Sequence, residues 1–208
     1  MARAHPDQFN LFDLPALLFA TSEPAGPVRP EPVPDRLSLA LLVNGRSAGA
    51  LMGAAEALAE RHGLPMPDFA DPFHLPLLDF GRSDGLTERD LGAIGAALDR
   101  LSLPRLAVVA RQVIGMVLED GGAAAALPVD FGEALEALLE HLGDGLREKR
   151  LGHLAAPPDS SDICIGRVAA PLPEGRLDEA LELPLRELAL LRGNGHRHDV
   201  VKSWTLRA

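Results

Sequence analysis

The 208-residue chain has a single cysteine, Cys164, no tyrosine, and an aromatic content of only 4%. One cysteine excludes an internal disulfide and fits a reducing compartment. With so few rings, a core must be assembled from Leu, Ala and Val. No apolar run reaches the roughly 18 residues of a membrane-spanning helix. Asp7, Asn10 and Asp13 interrupt anything that would read as a secretory leader, so the cytoplasm is the expected compartment. A basic surplus is also missing: 30 acidic residues against 20 Lys and Arg give a net charge of −10. That excludes a broad nucleic-acid-binding surface, which needs many Lys/Arg–phosphate contacts, while leaving room for a local basic cleft. There is no G-x-G-x-x-G, no P-loop, no G-x-S-x-G and no zinc-spaced Cys/His/Asp cluster, so neither a cofactor nor a metal is expected.

What is present is enough for one globular domain: 47% apolar and 24% charged residues, with a length that can bury a core. Residues 1–35 stand apart as a flexible Pro-rich tail, with Pro24, Pro27, Pro30, Pro32 and Pro34 closely spaced. The domain is expected over 36–208. Leu37–Val43 reads as a strand, Asn44-Gly45 as a turn, and Ser47–His62 as an Ala/Leu-rich helix stopped by Gly63 and Pro65. Residues 73–80 read as a second strand and Ser83-Asp84-Gly85 as a turn. Thr87 is positioned to cap a helix running to Leu101, with Asp90 three residues on. Leu106–Ala110 and Val113–Leu118 read as two short strands. Asp130 caps a helix reaching about Arg150 through Leu135, Leu138, Leu139 and Leu142. Further strands follow at 162–168, Leu185–Leu191 and Val200–Leu206, the last two joined by Arg192-Gly193-Asn194-Gly195. Strands and helices recur in a similar order in the two halves, which points to an α+β domain of two related lobes.

Two strand segments carry the candidate chemistry. On a strand, residues two apart share a face. His74 and Pro76 therefore project together from Phe73–Gly81, as do Asp162 and Cys164 from Ser161–Arg167. With Arg36-Leu37-Ser38-Leu39-Ala40-Leu41 at the start and Glu187–Arg192, His198-Asp199-Val200-Val201 and Trp204-Thr205-Leu206 at the end, these segments resemble the two-histidine (2H) phosphoesterase superfamily. Within it they are similar to bacterial RNA 2′,3′-cyclic phosphodiesterases, also described as 2′–5′ RNA ligases. The resemblance covers roughly residues 36–207, and Asp162 follows His74 by about 88 residues, a similar half-site spacing. It implies a two-lobed fold, with two antiparallel-rich sheets lining a central cleft and helices outside.

In that family each half-site is His-h-Thr-h, where h is apolar. One histidine removes a proton, the other protonates the leaving oxygen, and the threonine hydroxyls donate to the phosphate. Only His74 matches a catalytic position. Pro76 has neither hydroxyl nor N–H, Asp162 stands for the second histidine, and Cys164 for the second threonine. The resemblance thus implies reduced or lost catalysis, with His74 and Asp162 as the catalytic candidates. Cys164, Arg167 and His198 are the candidates for holding an RNA end or nucleotide.

Other readings stand beside this one. Cys164 between two isoleucines can be a small core hydrophobe, Asp162 a cap for the preceding loop, Arg167 a salt-bridge partner, and His196 and His198 solvated turn residues. The cleft could serve a non-catalytic nucleotide-binding or adaptor protein, or a different chemistry using Asp162 and Cys164. Gln8-Phe9-Asn10-Leu11-Phe12 resembles the peptide by which bacterial repair and replication proteins dock on the DNA sliding clamp. Leu11 and Phe12 would fill an apolar pocket and Gln8 would make oriented hydrogen bonds. The alternative is that this island packs on the domain itself.

Overall fold

The computed structural model describes residues 34–43, 45–118, 122–129, 132–158, 160–169, 175–194 and 197–207. The peptide Gln8–Phe12, Asn44, Asp130 and His196 lie outside the described residues. The elements run β1 (Arg36–Leu42), α1 (Gly45–Arg61), β2 (Asp68–Phe69), β3 (His74–Arg82), α2 (Glu88–Leu98), β4 (Leu106–Val117), β5 (Ala123–Leu127), α3 (Glu133–Glu148), β6 (Ile163–Val168), β7 (Gly175–Leu185), β8 (Glu187–Asn194) and β9 (Arg197–Thr205). The strands form two sheets, in the orders β3-β1-β8-β9 and β2-β6-β5-β4-β7, and every pairing is antiparallel. The α+β class expected from the sequence is the class found. Among the described residues no helix is long and apolar enough to cross a membrane.

Alternation along the strands explains the layering. Leu37, Leu39 and Leu41 on β1, Leu75 and Leu77 on β3, and Leu188 and Leu190 on β8 are buried in one continuous core. The same core contains Leu51 and Leu58 of α1, Ile94 and Leu98 of α2, and Leu138, Leu142 and Leu146 of α3. From the second sheet come Val113, Leu127, Ile163, Ile165 and Leu183. Leucine and alanine therefore do the work that aromatic residues do elsewhere. The opposite face of the first sheet carries a separate small cluster, Ala40, Leu42, Ala189 and Leu191.

Three strand expectations need correction. The runs either side of Arg111-Gln112 belong to one long strand, β4, whose pairing with β7 changes register there: Ala110 faces Leu181 but Gln112 faces Arg176. Nothing in the sequence over 123–127 points to a strand, because Ala123-Ala124-Ala125-Ala126 has helix-forming character; as β5 it is central, and Ala124, Ala125, Ala126 and Leu127 are fully buried. The expected strand at Leu185–Leu191 spans the end of β7 and the start of β8, which separate at Arg186. β7, rich in charge and containing Pro184, lies at a sheet edge, where proline is tolerated.

Candidate functional site

His74 opens β3 opposite Leu42 of β1. Leu75 and Leu77 point into the main core, so His74 stands on the other face, with Leu42 and the small cluster around it. The imidazole is buried, and its Nδ1 lies 2.8 Å from the carbonyl oxygen of Pro72. That oxygen can only accept, so Nδ1 carries the proton and Nε2 is the basic nitrogen of the neutral ring. Burial pushes the pKa below the ordinary histidine value, and the bond to Pro72 only partly opposes this. His74 is accordingly a neutral base at physiological pH.

His198 reaches the same place from β9. Its strand position faces Gly193 of β8, and its N–H donates to the Asp71 carbonyl at 2.9 Å. A Cβ at Gly193 would collide with the Arg197 carbonyl and lie 2.9 Å from the His198 Cα, so the close approach of β9 at this point requires glycine. The two imidazoles meet edge to face, 4.6 Å between centroids and 74° between planes. β3 and β9 are opposite edges of a four-stranded sheet, but the segment leading into β3 returns to β9: Asp71 bridges Arg197, next to the His198 N–H bond to the Asp71 carbonyl, and this places the two rings together. Beside His198 lies a groove of about 640 Å³ lined by Asp68, Phe69, Asp71, Arg192 and Arg197, with Asp68 and Arg197 paired at 3.4 Å.

The second half-site is built on β6. Ile163 and Ile165 are fully buried, and Cys164 between them is partly so, facing the other way. Burial raises the thiol pKa; a backbone hydrogen bond from Gly166 and the Arg167 charge pull against that without reversing it. Cys164 is therefore a poor nucleophile and a weak donor. Asp162 precedes the strand and closes a local ring. The Ser160 hydroxyl donates to its Oδ2 at 3.0 Å, and its own N–H donates back to Ser160 Oγ at 3.1 Å. This matches a loop-capping carboxylate. Arg167 lies opposite Asp68 of β2 and Ala124 of β5.

β3 and β6, strands of different sheets, come within 8 Å between Cα atoms. Pro76 and Ser161 line one apolar pocket of about 430 Å³, with Leu78, Ala155, Pro157 and Pro158. Thus His74 and His198 are in contact, and Pro76 and Ser161 share a pocket. Among the described residues no three His, Cys, Asp or Glu side chains are grouped to hold a metal ion.

Solved structures resemble this arrangement. Escherichia coli LigT complexed with 3′-AMP superposes with a TM-score of 0.58 at 15% identity, covering 84% of this chain and 99% of LigT. The fold is that of LigT. A protein solved as a phosphoesterase superposes with a TM-score of 0.60 at 15% identity over 84% of this chain and all of its own. TT0787 of Thermus thermophilus superposes at 0.58 with 23% identity, covering 83% of this chain and 98% of TT0787. LigT has also been solved with ATP, NADP+ and phosphate. No protein-family model matches the chain, and no curated protein matches it by sequence. The LigT fold bears out the α+β class expected from the order of strands and helices.

The meeting of His74 with His198 is the feature that sequence reasoning does not reach. His198 is a candidate ligand residue from its place in the closing hairpin, but only the pairing of Asp71 with β9 brings it to His74. The signal that could have shown it is Gly193, the glycine directly opposite.

Proposed function

We propose that this chain is a 2H-type protein, related to RNA 2′,3′-cyclic phosphodiesterases and 2′–5′ RNA ligases, that binds a phosphate-bearing RNA end or nucleotide around His74 and hydrolyses it slowly. The observation that carries this reading is the state of His74: buried, neutral, with Nδ1 committed to Pro72 and Nε2 the basic nitrogen. Such a ring can take a proton from water or a hydroxyl, one half of acid–base phosphodiester chemistry. The LigT fold supports the ligand class, since LigT itself is solved with nucleotides and phosphate.

The other half is weak for physical reasons. His198 touches the His74 ring, so a phosphate cannot lie between the two. An in-line acid must stand on the far side of phosphorus, and His198 is a phosphate contact on the same side instead. Asp162 is tied to Ser160 and repels phosphate when ionised. Cys164 and Pro76 do not replace the threonine donors. Losing one acid–base partner removes roughly 10²–10⁴ in rate, and each missing phosphate donor about 10²–10³ more, by analogy with oxyanion donors.

The test is hydrolysis of a 2′,3′-cyclic mononucleotide. Wild type is expected to turn over slowly and His74→Ala not at all, with Asp162→His combined with Pro76→Thr and Cys164→Thr faster by at least about 10²-fold. Rapid wild-type turnover that vanishes in His74→Ala would show that the catalytic set is intact and overturn the reduced-activity reading. A wild-type protein that neither binds 3′-AMP nor turns over would remove the ligand-site reading.

A second reading rests on Gln8-Phe9-Asn10-Leu11-Phe12 and its Pro-rich tether, which fit a clamp-docking adaptor. Capture of sliding clamp by the full chain, lost in Leu11→Ala with Phe12→Ala, supports it. Absence of wild-type capture at tens of micromolar clamp sinks it.

A further inference from the structure

We propose that Arg111, Gln112 and Arg176 form a phosphate-binding site for an oligonucleotide strand, on the same face of the second sheet as Cys164; the proposal rests on the reading that this face takes a nucleotide ligand.

The site arises from the irregularity in β4. Ala110 and Val113 are both fully buried although three positions apart, where a regular strand would bury residues two apart. The two residues between them, Arg111 and Gln112, are both exposed. Both leave the core where the pairing with β7 changes register, the extra residues lying on β7 between Arg176 and Leu181, and such irregularities recur beside functional sites. Across the pairing, Arg176 of β7 stands opposite Gln112. Gly175 before it faces inward, since a Cβ there would meet Leu58 of α1 at 2.9 Å, so Arg176 projects outward beside Gln112. Arg111, Gln112 and Arg176 line one pocket of about 400 Å³ together with Val109 and Pro128.

The face is the half-site face. Ile114, two residues after Gln112, pairs with Ala126 of β5, and Ala126 pairs with Cys164 of β6. Gln112 is therefore two strands from the half-site and Arg176 three, about 10 to 14 Å across the sheet.

The charges fit an external anion. Two arginines line one pocket in a protein of net charge −10, and among the described residues neither is paired with a carboxylate. Glu182 stands opposite Val109, and Glu179 is exposed on β7, but neither lines the pocket. Two planar forks with a neutral amide donor match phosphate oxygens. The distance from the half-site suits a second phosphate further along an extended strand and lies beyond a single nucleotide's own phosphate.

The experiment compares a fluorescein-labelled hexauridylate ending in a 3′-phosphate with 3′-AMP. Both are titrated against folded wild type, His74→Ala and the Arg111→Ala/Arg176→Ala double variant at several salt concentrations. The site requires wild type to bind the hexamer at least about tenfold more tightly than 3′-AMP. The double variant should remove that advantage without changing 3′-AMP affinity. Its slope of log K against log salt should also be shallower by about 1.4, roughly 0.7 for each lost phosphate contact. Equal wild-type affinities for the two ligands, or an unchanged hexamer affinity and slope in the double variant, would overturn the proposal. Failure of the His74 reading shows separately, as 3′-AMP binding indifferent to His74→Ala.

Discussion

His74 is held by its own chain rather than by a catalytic partner: the Pro72 carbonyl, two residues back, fixes Nδ1. Its pH behaviour follows from burial. The folded pKa lies below the unfolded value of about 6.5, so the unfolded chain binds more protons in the interval between them. His74 therefore leaves stability intact above pH 6.5 and removes it as pH falls below that value. Urea midpoints at pH 7.5 and 5.5 should show a drop that is smaller in His74→Gln; equal drops would assign the pH dependence to other groups. Gly193 makes the companion case. Gly193→Ala should force β9 away at Arg197 and His198, costing about 1–3 kcal/mol by overpacking. It should also let water reach His74, seen as a rise of its imidazole pKa by NMR. The His74 motif is legible in the sequence because it is local. Its contact with His198 is not, because it depends on the long-range pairing of Asp71 with Arg197 and His198.

The start of helix α2 is legible in the sequence, but its end is not: the helix stops at Leu98 with Asp99 as its C-cap, three residues short of the expected Leu101. Thr87 accepts from the Asp90 N–H at 3.2 Å, while the Asp90 carboxylate accepts from the Thr87 N–H at 2.9 Å. The reciprocal cap is encoded in four consecutive residues, which is why its start is legible. Thr87→Ala should cost about 1 kcal/mol, measured as a lower urea midpoint with an unchanged slope. At the other end of this helix, Asp99 holds Lys202 Nζ at 2.8 Å and the Trp204 indole N–H at 2.7 Å, tying α2 to β9. Those contacts, first of all the hydrogen bond from Lys202, keep the Asp99 carboxyl below the usual carboxylate range. Strands were less legible than helices. β5 is a strand because it lies between β6 and β4, an environment that overrides alanine's own preference. β4 reads as two strands because two polar residues, Arg111 and Gln112, interrupt its apolar run where the pairing with β7 changes register.

Both sheets and all three helices contribute to one continuous core. Unfolding of residues 34–207 should therefore be a single cooperative event. The chain provides a convenient local probe, since its one tryptophan, Trp204, sits on β9 of the first sheet. Urea transitions followed by tryptophan fluorescence and by far-UV circular dichroism are expected to coincide. A fluorescence transition that precedes the other would mean that the first sheet melts alone. Leu142→Ala, removing a fully buried side chain from α3, should lower both transitions together by about 2–5 kcal/mol.

The alternation of leucines with small or polar residues determined, without any structure, which face of β1, β3 and β6 enters the core, because a strand's period of two leaves no choice once one face is buried. The same local rules placed His74 and Pro76 away from that core, while Cys164 still packs against its margin. Tertiary structure alone decided what those outward residues meet. The imidazole contact, the strand character of the alanine run and the pocket shared by Arg111 and Arg176 all depend on which segments are neighbours. Those are properties of distant pairings, and no local spacing in the chain encodes them.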